Sequence, residues 1–163
     1  MVNCVKINTD GALCEESHSG GWGFIVRNDR GVPVAAGRNH LQGVSSALYV
    51  EALALLKALH MTSDMGCSWV QLEVDATNLK QAITSHDYDL SSLGVLFKEI
   101  KSLLCVAYDS VKIYVCMRSC NSVVHELAAR GALQGDGNCV VWVGHLPHFV
   151  LNLCADDVSS ASV

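Results

Sequence analysis

Residues 5–12, VKINTDGA, place an acidic residue and a glycine where a short apolar strand is expected to end. Strands commonly run about 4–8 residues and are bounded by turn-forming residues, so residues 2–10 are predicted to form a strand that stops at Gly11. We interpret Asp10, at the end of this strand, as one member of a metal-binding carboxylate cluster whose other members lie far along the chain. Asp-Gly is also a common turn dipeptide, and a plain turn is the alternative interpretation.

The segments that follow predict a meander of strands and then a helix. Residues 20–26, GGWGFIV, are rich in glycine and strand-forming residues, residues 28–31 make a turn, and residues 32–37 resume an apolar run. This pattern is typical of an antiparallel hairpin, so the first three strands are expected to pair in sequence. Ser45 and Ser46 can then cap a helix that covers residues 47–61.

Glu51 is the second acidic residue of interest because of its place on that helix. Leu48, Glu51, Leu55 and Ala58 fall on one face by their three-and-four spacing, so this carboxylate points the same way as apolar neighbours. Burying it is costly unless a cation or hydrogen-bond donors neutralise it. The alternative is a partly solvated residue near the helix start, where the helix dipole favours a negative charge.

The second half of the chain alternates strands and helices. Residues 69–74, WVQLEV, are predicted to form a strand that ends at Asp75, although Asp75 could simply be the N-cap of the short helix that follows through residue 83. A helix is predicted over 91–106, a strand over 111–116, and a helix over 122–132 capped by Asn121. Residues 156–163, DDVSSASV, are expected to be solvated and frayed.

This order of elements predicts an α/β fold with a mixed five-stranded sheet, antiparallel on one side and parallel on the other, flanked by helices. Ligand sites in such sheets lie off the carboxyl ends of the parallel strands, where Asp10 and Asp75 are placed, and Glu51 enters the same region. The predicted domain covers residues 1–133. Residues 134–163 are treated as a C-terminal tail that packs partly on it.

Composition narrows the class of protein. The chain has 163 residues, of which 50% are hydrophobic and 17% charged, as expected for one folded domain. No apolar run approaches the roughly 18 residues that span a bilayer, and no secretory signal is visible, so we expect an intracellular protein, nuclear or cytoplasmic, that contacts no membrane. The net charge is -5, and no obvious basic patch is visible in the sequence. Any nucleic-acid binding must therefore depend on a local site and is expected to be weak.

Eight cysteines are present, and none forms a close C-x-x-C pair. Zinc sites usually contain such pairs, so we expect reduced and mostly buried thiols. The nearest approach to a zinc ligand set is Cys116, Cys120 and His125.

Several pieces of the chain occur in an order and at a spacing typical of one family. They are NTDGA at 8–12, GGWGFIVRNDRG at 20–31, VEALALLKAL at 50–59, VQLEVDA at 70–76 and NSVVHELA at 121–128. Together they resemble the type 1 ribonuclease H-like family, and in particular its plant branch, related to the reverse-transcriptase ribonuclease H domains of retrotransposons. The segment VWVGHLPHFVLNL is similar to the one that closes many plant members.

The resemblance implies a nuclease that cleaves RNA–DNA hybrids with two Mg²⁺ ions, for which Mn²⁺ can substitute. The family's acidic ligands fall on Asp10, Glu51 and Asp75, and its fourth acid aligns with His125. Gly11 and Ala12 are expected to contact the substrate. In the family chemistry, one ion activates the attacking water and the other stabilises the departing 3′ oxygen, while contacts to the 2′-hydroxyl select RNA.

The sequence departs from the family pattern in ways that leave three hypotheses open. His125 replaces a carboxylate, and imidazole suits Mn²⁺ or zinc better than Mg²⁺; it could also be a simple helix-surface histidine. The family's loop histidine falls at Val115, and polar RNA-contacting residues are replaced by Ala47 and Leu48. The chain is therefore a working but slow ribonuclease H with His125 as auxiliary ligand, a degenerate domain that binds nucleic acid or protein without cleaving, or a structural or regulatory module whose thiols bind zinc.

Overall fold

The structure, a computed structural model, describes residues 4–134 and 138–160, without the side chains of 158–160. Its strands are β1 Cys4–Cys14, β2 Ser19–Asn28, β3 Pro33–Gln42, β4 Trp69–Val74, β5 Ser110–Val115 and β6 Val140–Val143. Its helices are α1 Ala47–Asp64, α2 Thr77–Thr84, α3 Gly94–Ala107, α4 Ser122–Leu133 and α5 His148–Ser160, with a short 3-10 helix at Arg118–Asn121.

The strands form one mixed sheet in the order β5-β4-β1-β2-β3-β6. β1, β2 and β3 pair antiparallel in sequence, and β4 and β5 add in parallel beyond β1. The predicted α/β class and the division into antiparallel and parallel sides are confirmed. The predicted count of five strands is one too low, because the four residues of β6 pair antiparallel with β3, and so short a segment carries no alternation of its own to reveal it.

The first strand is longer than predicted, and Gly11 does not end it. β1 continues to Cys14, with Gly11 paired to Trp22 of β2. A Cβ atom on Gly11 would lie 2.9 Å from the backbone nitrogen of Glu51 and 3.0 Å from Val50 Cγ1. The glycine is therefore required by the close approach of α1 and makes no turn. Residues 2 and 3, the start of the predicted strand, lie outside the described residues.

Helices cover both faces of the sheet, as the alternation along its strands requires. Phe24 and Val26 of β2 join a core with α1, α2 and α3, while Ile25, between them in sequence, packs with Val124 and Leu127 of α4. A Cβ atom on Gly23 would lie 2.6 Å from Leu127 Cβ, so the glycines of β2 let α4 approach the strand closely. α4 also packs on the neighbouring strand β1.

The tail adds structure on that second face. Val150 and Cys154 of α5 are buried against it, and α5 continues to Ser160. The expectation that residues 156–160 are frayed is therefore wrong, and residues 161–163 lie outside the description. The division into a domain of residues 1–133 and a tail of residues 134–163 stays a prediction.

The cysteines are all free, but the expectation that most are buried is wrong: two of the eight, Cys67 and Cys154, are buried. Several others lie on exposed ends of strands and helices, where the hydrophobicity of a thiol does not decide its position. No helix within the described residues is both long enough and apolar enough to cross a bilayer.

Candidate metal centre

Asp10 and Asp75 are brought side by side by the parallel pairing of β1 with β4. The last pair of that ladder joins Asn8 to Glu73; Asp10 lies two residues further along β1, and Asp75 is the first residue after β4. Both carboxylates therefore emerge at the same edge of the sheet, as predicted for this class of fold. Asp10 is 2% exposed, and β1 continues past it to Cys14.

Glu51 joins them from α1. Ser46 caps this helix as predicted, with its Oγ accepting a hydrogen bond of 3.2 Å from the Tyr49 backbone N–H. The contact between α1 and Gly11 then places Glu51 next to β1. Asp10, Glu51 and Asp75 each offer an oxygen within 4.8 Å of the others, and we call this set the acid cluster. Within residues 4–134 and 138–160 it is the single group of three or more acidic, histidine or cysteine ligands.

The electrostatics of the acid cluster are those of buried like charges. Burial, then the charge of Asp75, then that of Asp10 raise the pKa of Glu51 to about 7, and Arg118 opposes the shift. Burial and the charge of Asp75 also raise the pKa of Asp10, against hydrogen bonds from His125 and the Gly11 backbone. These groups resist ionising together, and a divalent cation would remove that resistance.

His125 contacts the acid cluster through Asp10. Its Nδ1 lies 2.9 Å from Asp10 Oδ2, while the backbone N–H of Gly11 donates to Oδ1 at 2.8 Å. The imidazole is half exposed, so one side of it stays open to solvent. His125 is thus more than a helix-surface residue, and its role as a metal ligand stays a prediction.

Asp75 is not the helix cap that the sequence allowed. Ala76 occupies the N-cap position of α2, and no side chain caps that helix. The Asp75 carboxylate is 13% exposed and faces the other two carboxylates of the acid cluster. Its Oδ2 lies 3.9 Å from Arg118 Nε. Sequence reasoning missed Arg118, for which the signal was a basic residue three positions before the predicted cap of α4.

The predicted substrate residues are placed beside the acid cluster. Gly11 packs against α1, and Ala12 is half-buried in β1. Their contact with a substrate stays a prediction. Val115, where the family's loop histidine was expected, ends β5 and is 42% exposed.

The cysteines form no metal centre with His125 among the described residues, because the acid cluster is the one ligand group found there. Burial and then the charges of Glu73, Asp75 and Cys120 raise the pKa of Cys116 to about 11. Zinc binds the thiolate form, so binding at Cys116 would have to displace this proton.

Comparison with known proteins agrees with this architecture. Residues 8–131, more than half of the chain, match the family described as reverse transcriptase-like. No curated protein matches the sequence. Ribonuclease H1 of the halophilic archaeon Halobacterium salinarum NRC-1 superposes with a TM-score of 0.71 at 23% identity, covering 78% of this chain and 96% of that one.

Two other solved structures show the same fold. LC11-RNase H1, solved in complex with an RNA/DNA hybrid, superposes with a TM-score of 0.70 at 18% identity, over 77% of this chain and 94% of that one. LC9-RNase H1, described as a type 1 enzyme with the type 2 active-site motif, superposes with a TM-score of 0.76 at 15% identity, over 99% of this chain and 85% of that one. The fold is that of the type 1 ribonucleases H, and the chain belongs to the reverse transcriptase-like family.

Proposed function

We propose that this protein is a metal-dependent ribonuclease H that hydrolyses the RNA strand of RNA–DNA hybrids, at a slow rate. The observation that carries the proposal is the acid cluster, three carboxylates from β1, α1 and the residue after β4 that lie within 4.8 Å of one another. The family and the ribonuclease H neighbours support this class of reaction and substrate.

The residues present fit divalent magnesium. Hard carboxylate oxygens are the ligands that Mg²⁺ prefers, and it commonly binds through one or two carboxylates, its own waters and substrate phosphates. Burial, and then the charges of neighbouring carboxylates, raise the pKa values of Glu51 and Asp10, and a bound divalent ion would offset both effects. Asp10, Glu51 and Asp75 would hold two ions, with His125 as an auxiliary ligand that favours Mn²⁺.

In the proposed reaction a water oxygen attacks the phosphorus of the RNA backbone and the bond from phosphorus to the 3′ oxygen breaks. A proton from the water passes to that 3′ oxygen. The products are a 3′-hydroxyl on one RNA fragment and a 5′-phosphate on the other. When bound, two divalent ions supply the activation of the water and the stabilisation of the departing oxygen. The protein orients its own carboxylates. The Gly11 N–H and His125 fix the two oxygens of Asp10, and Arg118, whose side chain is mostly exposed, lies beside Asp75.

A slow rate is expected because of two residues. Val115 cannot carry a proton, so no side chain at that position assists the departing oxygen. His125 replaces a charged oxygen ligand with a nitrogen ligand. The same features support a second candidate function, a domain that binds nucleic acid or protein without cleaving it.

Incubation of the purified chain with a labelled hybrid tests the proposal. We expect nicks in the RNA strand, faster with Mn²⁺ than with Mg²⁺, and none with Asp10→Asn. His125→Asp restores an oxygen ligand and is expected to narrow the difference between the two metals. A hybrid left intact with both metals, at low salt and high protein concentration, would favour the non-cleaving domain. Cleavage that survives Asp10→Asn would show that the site is elsewhere or that the activity is a contaminant.

A further inference from the structure

A closed ring of hydrogen bonds lies behind the acid cluster and connects four elements of the fold. Asn8 Nδ2 donates to Asn121 Oδ1 at 3.2 Å, and Arg27 Nη1 donates to Asn8 Oδ1 at 3.1 Å. Arg27 Nη2 donates to Asp157 Oδ2 at 3.2 Å, and Ser122 Oγ donates to Asp157 Oδ1 at 2.7 Å. Ser122 follows Asn121 in the chain, so the contacts return to their start. We call this the polar ring.

The polar ring contains a residue close in sequence to each partner of the contact between Asp10 and His125. Asn8 lies two residues before Asp10, on the same face of β1, and Asn121 lies four residues, about one helical turn, before His125. Asn121 Nδ2 also donates to the Thr9 carbonyl at 3.0 Å, one residue past the last parallel pair of β1 and β4. The ring thus fastens the functional end of β1 to the first turn of α4.

The use made of Asn121 is unusual for its position. It is the N-cap residue of α4, where an asparagine normally accepts a hydrogen bond from the helix backbone, yet no side-chain cap is formed. Its amide is 2% exposed and is directed instead to Asn8 and Thr9 of β1. A helix cap stabilises the helix wherever it lies, whereas these bonds hold α4 at one position relative to β1.

The outer half of the polar ring belongs to the C-terminal helix. Asp157 of α5 accepts from both Arg27 and Ser122, and the Arg27 and Asp157 side chains are 14% and 22% exposed. Pairs this shielded lose more when one partner is removed than exposed ion pairs do. The tail helix therefore supports the start of α4 through charged contacts as well as by apolar packing.

We propose that the polar ring positions Asp10 and His125 for metal binding, with Asn121 as the central positioning residue and Asp157 as its support from the tail helix. The inference rests on the proposed function in taking the acid cluster as a metal site. Residues that orient metal ligands from outside typically change metal affinity about 10–100-fold when they are removed.

The test measures Mn²⁺ dissociation constants of the full chain by electron paramagnetic resonance. Asp157→Ala opens the ring and is expected to weaken Mn²⁺ binding about tenfold. Asp157→Asn keeps an acceptor for Arg27 and a partner for Ser122, and is expected to restore affinity to within about threefold. The matched control Asp109→Ala removes an equal charge from an exposed residue that precedes β5, at the end of the sheet away from the acid cluster, with an expected change below about twofold because solvent screens that charge.

Asn121→Ala removes two buried hydrogen bonds and is expected to weaken Mn²⁺ binding more than Asp157→Ala does. Its circular dichroism spectrum is recorded first, and Asp157→Ala carries the test if Asn121→Ala does not fold. Equal shifts for Asp157→Ala and Asp109→Ala would overturn the proposal, since charge alone would then explain both.

Hybrid cleavage by the unmodified chain is measured in parallel and separates the two proposals. If the chain cleaves hybrids but Asp157→Ala leaves the Mn²⁺ affinity unchanged, the role of the polar ring is overturned and the proposed function stands. A Mn²⁺ affinity that depends on Asp157, in a protein that cleaves no hybrid, supports the ring and counts against the proposed function.

Discussion

Glu73 lies on β4 and Asp75 directly follows that strand, and the fold treats the two carboxylates in opposite ways. Glu73 accepts hydrogen bonds from Lys6 Nζ at 3.2 Å, Asn8 Nδ2 at 2.9 Å and Gln71 Nε2 at 3.2 Å. Asp75 faces the two other carboxylates of the acid cluster, and its ion pair with Arg118 spans 3.9 Å. We call Glu73 and its three donors the balanced cluster.

The difference separates a carboxylate that contributes to stability from one that is proposed to bind metal. Donors from β1 and β4 satisfy the carboxylate of the balanced cluster, so folding meets the cost of removing it from water. In the acid cluster, burial and like charges instead raise the pKa of Glu51 to about 7. A cation from solution bound at the acid cluster would offset that cost.

The largest effect is expected for Asp75→Asn. Removing one carboxylate of the acid cluster should reduce hybrid cleavage about 1,000-fold or more, the scale on which single electrostatic stabilisers act in enzymes. The free energy of unfolding of the metal-free protein should rise, because one of three like charges is gone. Gel-based cleavage assays and urea denaturation with a chelator measure the two quantities. Cleavage at the unmodified rate would remove Asp75 from the site.

The pH dependence of stability should reveal the acid cluster directly. The pKa of Glu51 rises from 4.5 to about 7 on folding, so the folded state binds this proton more tightly. The resulting stability is fully present below pH 4.5 and is lost as the pH rises through 7. We expect the metal-free protein to lose up to about 3 kcal/mol in its free energy of unfolding over that range.

Urea denaturation between pH 4.5 and 8 measures this slope, with Glu51→Gln as the matched variant that cannot titrate. The slope should flatten in that variant, and also in the unmodified protein with Mn²⁺, which favours the ionised carboxylates. An equal slope in Glu51→Gln would assign the pH dependence to other groups.

In the balanced cluster we expect a smaller change in the free energy of unfolding, opposite in sign to the change expected for Asp75→Asn. Glu73→Ala leaves the amide of Asn8 short of an acceptor and should lower the free energy of unfolding by about 1–3 kcal/mol. Glu73→Gln, which retains an acceptor oxygen, should lose less. Urea denaturation of both variants in chelator makes the comparison, and a gain in stability for Glu73→Ala would show that the two clusters do not differ as described.

Prediction from the sequence succeeded where the information was local and failed where the contact was distant. The strand from Trp69 to Val74 was predicted with its exact bounds, because alternation and flanking residues define it. The continuation of β1 past Gly11 was missed, because Asp-Gly alone predicts a turn and the contact that needs the glycine lies on α1, some forty residues away.

By itself, the sequence determined the α/β class, most helices and strands, and, through family resemblance, the three acidic residues of the candidate site. Tertiary structure alone decided that Glu73 is balanced while Asp75 is not, that His125 touches Asp10, and that Asn121 and Asp157 stand behind them. The physical reason is that local patterns record periodicity and turns, whereas the partners of a buried charge are chosen by how strands align and helices pack.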